Sequence, residues 1–175
     1  SKGLTHAMEA VQRLMQAGAH AVKIEGADHQ LPIIEHIVEA GVPVMGHLGL
    51  TPQSIHNLGG HRVQGKDQDS GEKIMKQAHE LDLAGCFAVV LECVPNKLGD
   101  CVSRSVSVPT IGIGAGPHTD GQVLVLQDLL GADPDFSPKF LRRYSNVHDL
   151  VSSSVQHFHQ DVSEQTFPSV EESYG

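Results

Sequence analysis

Tryptophan is absent from these 175 residues, and tyrosine and phenylalanine number only 2 and 5. Surfaces that stack nucleobases are built from such rings. With 12 basic against 21 acidic residues, the formal charge of -9 also repels a phosphate backbone. Both observations argue against a nucleic-acid partner. Cysteine is scarce as well: Cys86, Cys93 and Cys101 are odd in number and lack any C-x-x-C spacing, so neither a disulfide framework nor a structural zinc site is indicated. No apolar run approaches the roughly 20 residues that span a bilayer. The opening stretch, SKGLTHAMEA, has no basic-then-apolar leader pattern, so the expected location is cytoplasmic, with no membrane partner.

What the chain does have is 39% hydrophobic residues and 18 glycines, enough for a single domain with a sizeable core. Helix-period segments alternate with short runs rich in branched residues, the signature of an α/β fold. HAMEAVQRLMQAG places Ala7, Val11, Leu14 and Met15 on one stripe and stops at Gly18. AVKIE follows as a strand. LPIIEHIVEAG then leads into VPVMGH, and, after a long loop rich in Gly, His and Gln, EKIMKQAHELDLAG leads into FAVVLE. A weaker helical stretch, Leu98 to Val106, precedes the expected strands VPTIGIG and QVLVL.

Strands that are apolar at nearly every position and joined by helices belong to a parallel sheet, either doubly wound or closed into a barrel. Glu25, His47, Glu92 and the Gly112/Gly114/Gly116 run all fall at the C-terminal ends of their strands. In a (β/α)8 barrel that rim carries the chemistry. About five strands are visible here, too few to close such a barrel.

Three polar positions stand out. Lys23 and Glu25 alternate with Val22 and Ile24, so both charges share one face of their strand. Taken alone, the pair reads most simply as an exposed strand braced by an ion pair. Glu92 closes the apolar run AVVLE, where a carboxylate either reaches solvent or needs a partner or a metal. His47 at the end of VPVMGH reads first as a hydrogen-bonded structural residue. The 12 histidines show no H-E-x-x-H spacing. GIGAGP departs from the dinucleotide fingerprint at its sixth position and opens no helix, so its glycines are assigned to positive φ or to close backbone approach.

Read together and in order, GAHAVKIEG, VPVMGHLGLTPQS, VQGK, LECVP, PTIGIGAG and TDGQVLVLQDLLG resemble the ketopantoate hydroxymethyltransferase family. The resemblance implies a TIM barrel of the phosphoenolpyruvate/pyruvate type, with residues 1–162 as the C-terminal part of one domain and 163–175 as a polar acidic tail. It implies transfer of a hydroxymethyl group from 5,10-methylenetetrahydrofolate to 3-methyl-2-oxobutanoate, giving 2-dehydropantoate for pantothenate biosynthesis. It further implies Mg2+ or another divalent metal, and a homodecamer. On the matching positions, Glu25 would bind the metal, Lys23 the oxo acid, and Glu92 would accept the proton. His47 would be a supporting or substrate contact.

The family's earlier strands contribute two metal-binding aspartates and a substrate-contacting serine that have no counterpart here. Asp28 follows a strand rather than ending one, so it does not replace them. Two other readings stay open: an inactive barrel fragment that serves assembly, and a related metal-dependent oxo-acid lyase.

Overall fold

The structure, a computed structural model, describes residues 3–51 and 62–175. It divides into two compact units, Ser1–Val123 and Leu124–Gly175. The first unit holds α1 (Gly3–Gln16), β1 (Val22–Glu25), α2 (Leu31–Glu39), β2 (Val44–Gly49), α3 (Gln68–Leu83), β3 (Ala88–Glu92), α4 (Asn96–Ser105), β4 (Thr110–Ile113) and β5 (Gly121–Gln122). The expected α/β class and parallel sheet are both present.

Among the described residues the five strands are all parallel and ordered β1-β2-β3-β4-β5. The chain therefore never reverses its direction across the sheet. Parallel crossovers are right-handed, so a one-way order puts successive helices on the same face. A doubly wound sheet reverses and covers both faces. The winding here is that of a barrel wall.

The packing follows this division. Val44, Leu48, Val89 and Leu91 are buried together with Ile34 and Ile37 of α2, Ala78 and Leu81 of α3 and Val102 of α4. A Cβ on Gly46 would lie 2.7 Å from Leu81 Cδ1, so the Gly46 face is the helix face. Asp67 starts α3 by accepting a 2.9 Å bond from the Ser70 N–H. Leu14, expected on the core stripe of α1, is 52% exposed, whereas Val11 is buried and Met8 and Met15 pack beside it.

One strand expectation needs correction, and the reading of the glycine run holds at Gly114 and Gly116, which have φ 67 and 85, but not at Gly112. QVLVL continues as strand only to Gln122, and Leu126 already opens the short helix α5 (Leu126–Leu129). Gly112 faces the helix side, where a Cβ would meet Thr119 Oγ1 at 2.6 Å, so its smallness serves packing rather than substrate approach. The Gly-, His- and Gln-rich loop, including Pro52 to Ser54 of the quoted motif, lies largely outside the described residues.

The start of β4 is fixed by a polar lock. Thr110, fully buried, meets Ser103 Oγ at 2.6 Å through its hydroxyl. Its N–H and hydroxyl donate to Asp120 Oδ2 at 2.8 and 2.9 Å. Those bonds, the backbone one first, hold the Asp120 carboxyl below its usual range. A carboxyl lowered in the folded state stabilises above its unfolded pKa, and that contribution fades as pH falls through the folded value. Asp120→Asn should therefore lower thermal stability at pH 7 by about 1 kcal/mol, with the gap to the parent chain closing in acid. Melting curves across pH would check this; a gap independent of pH would refute it.

In the second unit, α5 is followed by α6 (Val147–Ser163). Arg143 donates to the carbonyls of Asp133, Pro134 and Phe136. Phe158 meets Phe167 edge-on at 5.4 Å between ring centres.

Candidate functional site

Register and the two-residue period place the polar side chains. Glu25 lies beside His47, His47 beside Val90, and Gly49 beside Glu92 in the parallel ladders. In-register neighbours share a face. Lys23, Glu25, His47 and Glu92 therefore all project from the face opposite the helices, with Glu25, His47 and Glu92 toward the C-terminal end of the sheet and Lys23 one pleat below Glu25. The sequence-derived pairing of Lys23 with Glu25 on one face holds, and tertiary structure adds the other two.

His47 and Glu92 lie close together. Nε2 lies 3.2 Å from Glu92 Oε2, with the imidazole side chain 1% and the carboxylate side chain 19% exposed. The separation is that of an ion pair, but it is not aligned as a hydrogen bond. Among the described residues neither imidazole nitrogen has a hydrogen-bond partner. His47 therefore lies buried against Glu92, a neighbour that its place in the sequence did not indicate. The signal that reveals it is register, which the sequence does not print.

The strand ends around this cluster are closely tied. Gly49 has φ +90, and a Cβ there would sit 2.1 Å from the Glu92 carbonyl oxygen. The Leu50 N–H donates to that same oxygen at 2.8 Å. Cys93, the next residue, is held at φ 49, a left-handed conformation unusual for a side chain with a Cβ. Its N–H donates to Ile113 O at 2.9 Å and its carbonyl accepts from the Gln64 N–H at 2.8 Å. Burial, and secondarily the Glu92 charge, push the Cys93 thiol up. Both effects disfavour its thiolate.

Asp28 sits beyond the strand, as its sequence position requires. Its carboxylate reaches Lys73 Nζ at 2.7 Å and accepts from Gln77 Nε2 at 2.7 Å. This contact between the β1–α2 turn and α3 joins residues 45 and 49 apart in the chain, and sequence reasoning missed it. Among the described residues, no group of three or more His, Cys, Asp and Glu side chains converges as a metal site.

A model of the family described as ketopantoate hydroxymethyltransferase matches residues 1–170. The chain belongs to the ketopantoate hydroxymethyltransferase family. A 3-methyl-2-oxobutanoate hydroxymethyltransferase of Coxiella burnetii is 56% identical over 171 residues, covering 97% of this chain and 64% of that protein. Proteins of the same name from Bdellovibrio bacteriovorus and Legionella pneumophila are each 53% identical, over 99% and 97% of this chain and 66% and 65% of their own lengths. The chain thus spans just under two thirds of the curated family members it matches. Among solved structures, the YdjI aldolase from Escherichia coli K12 aligns with a TM-score of 0.44 at 15% identity, over 71% of this chain and 52% of its own.

Proposed function

We propose that this chain supplies the Lys23, Glu25, His47 and Glu92 wall of a 3-methyl-2-oxobutanoate hydroxymethyltransferase of pantothenate biosynthesis. The observation that carries the reading is the buried His47 placed 3.2 Å from Glu92, on the sheet face that also carries Lys23 and Glu25. Family membership over residues 1–170 supplies the reaction class. In this reading residues 1–162 are the C-terminal part of one (β/α)8 domain and 163–175 a tail. The enzyme works in the cytoplasm as a homo-oligomer, a decamer by family resemblance, on small-molecule substrates.

Lys23, exposed on the site face, places a fixed positive charge for the carboxylate of the oxo acid. Glu92 accepts the C3 proton of 3-methyl-2-oxobutanoate, and the carbanionic carbon then forms a bond to the methylene carbon of 5,10-methylenetetrahydrofolate. For this, water first adds to that methylene carbon and its bonds to N5 and N10 break, freeing tetrahydrofolate and leaving the carbon as formaldehyde; once the carbanion has added to it, the proton held on Glu92 passes to the new alkoxide, giving 2-dehydropantoate. His47 borders the Glu92 oxygen on its buried side and restricts where the carboxylate can swing. Positioned general bases of this kind contribute about 10²–10⁴-fold.

The divalent metal is a separate matter. A hard cation such as Mg2+ takes about six oxygen ligands, and the described residues do not converge in the number it needs. They do not complete a Mg2+ site, so no step is drawn through one. Glu25 is proposed as this chain's contribution to it.

The experiment has two arms. Calorimetric titration of residues 1–175 alone should show Mg2+ binding no tighter than about 1 mM. Joined to the remaining third found in its relatives, the chain should form 2-dehydropantoate from the oxo acid and 5,10-methylenetetrahydrofolate. Tight, Glu25-dependent Mg2+ binding by the chain alone would overturn the ligand assignment. A completed protein that cleaves oxo acids but transfers no one-carbon unit would overturn the activity in favour of a lyase.

A further inference from the structure

On the helix side of the sheet, a cleft of about 330 Å3 opens at the C-terminal ends of β1 and β2 against the first turns of α3. Its volume falls at the lower end of the 300–1,000 Å3 typical of small-molecule sites. Leu48 and Ile74, both buried, give it an apolar floor. Asp28, Lys73 and Gln77 give it a polar wall. Gly26 and Gly49 also line it, at the strand ends: Gly26 directly follows Glu25, and Gly49 is the register partner of Glu92. A Cβ on Gly26 would meet nothing within 4 Å, so the rim is open there.

The polar wall has a definite pattern. Lys73 Nζ lies 2.7 Å from Asp28 Oδ2, and Gln77 Nε2 lies 2.7 Å from Asp28 Oδ1. Each carboxylate oxygen keeps a further lone-pair site. The wall therefore offers two acceptors followed by a donor. A 2-amino-4-oxopyrimidine ring presents the complementary edge: an exocyclic amine and a ring N–H that donate, then a carbonyl that accepts. Asp28 and Lys73 are both more than half exposed, at 51% and 58% of their side-chain areas. An exposed pair of this kind adds little to stability, so folding alone gives it slight purpose.

We propose that this cleft seats the pterin ring of the tetrahydrofolate donor, with Asp28 accepting from the amine and ring N–H, Lys73 donating to the ring carbonyl, and Leu48 and Ile74 beneath the ring. The one-carbon unit, attached at the far edge of the ring, then lies toward Gly26, where a Cβ would meet nothing within 4 Å. This inference rests on the transferase reading above and adds which part of the donor this chain recognises.

The test is calorimetric binding of 5-formyltetrahydrofolate, a chemically stable relative of the donor, to residues 1–175, since every cleft residue lies between Gly26 and Gln77. Asp28→Asn should weaken binding about tenfold or more, because an acceptor facing a donor becomes a donor. Lys73→Met should weaken it severalfold, and Lys76→Ala, on an exposed part of α3, should leave it within about twofold. A simple pterin should compete for the site; p-aminobenzoylglutamate should not. Melting temperatures of all variants establish that they fold, and Lys73→Met decides the matter should Asp28→Asn fail to.

Wild-type affinity in both cleft variants, competition by p-aminobenzoylglutamate instead of pterin, or no folate binding by the parent chain would each overturn the proposal. Those results leave the transferase reading standing if the completed protein still forms 2-dehydropantoate. Absence of that product together with intact, Asp28-dependent folate binding would overturn the transferase reading instead.

Discussion

Glu92→Gln in the completed enzyme is expected to reduce hydroxymethyl transfer by about 10²–10⁴-fold while leaving the melting temperature within a few degrees. The amide has nearly the same shape as the carboxylate, and its oxygen can still face His47 Nε2, now 3.2 Å from Glu92 Oε2. What it lacks is the capacity to take the C3 proton. With Glu92 in the proposed role of base, the loss is not of a ligand, so added Mg2+ should not restore the rate. Glu25→Gln should behave differently: if Glu25 contributes to metal binding, high Mg2+ should recover part of the lost activity. Steady-state rates of both variants across a Mg2+ series make the comparison. Equal recovery of both, or of neither, would sink the division of labour between the two glutamates.

Gly49→Ala should produce the largest loss of stability of any single methyl group added in this region. The new Cβ would lie 2.1 Å from the Glu92 carbonyl oxygen and 2.9 Å from Val94 Cγ1, and the nearer of these is backbone, which cannot rotate away. The residue also sits at φ +90, which costs an L-side chain about 1–2 kcal/mol. Strands β2 and β3 must then part at their C-terminal ends, weakening the Leu50 N–H to Glu92 O bond. A total of about 3 kcal/mol is expected, or a fall in melting temperature of roughly 6–12 °C. Gly26→Ala is the internal comparison. Its φ is +80 but its Cβ would meet open space, so only the backbone cost of about 1–2 kcal/mol should appear. Equal losses in the two variants would show that the collision at Gly49 is relieved more easily than its backbone neighbour suggests.

Local patterning in the sequence determined the parts of this protein that depend on near neighbours. Helix-period runs alternating with apolar strands specified a parallel α/β sheet. The period of two in Val22-Lys23-Ile24-Glu25 put both charges on one face. A glutamate closing the apolar run Ala88–Glu92 marked the rim, and the ordered motifs from Gly18 to Gly131 carried the family. Tertiary structure decided what depends on register between segments far apart in the chain. His47 could be placed 3.2 Å from Glu92 only after β2 and β3 had aligned. Gly49 became indispensable only when a neighbouring strand put its carbonyl where a Cβ would be. QVLVL carries a strand composition but stays in the ladder only through Gly121–Gln122. Asp28 and Lys73, 45 residues apart, formed a wall by the docking of α3 beside the β1–α2 turn. Alternation and helical period are short-range and survive in the written sequence, whereas the distance between two strands is set by the burial of Leu48, Val89, Leu91 and Leu81 in a shared core. Only once that core has packed do these side chains acquire the neighbours that give them a chemical role.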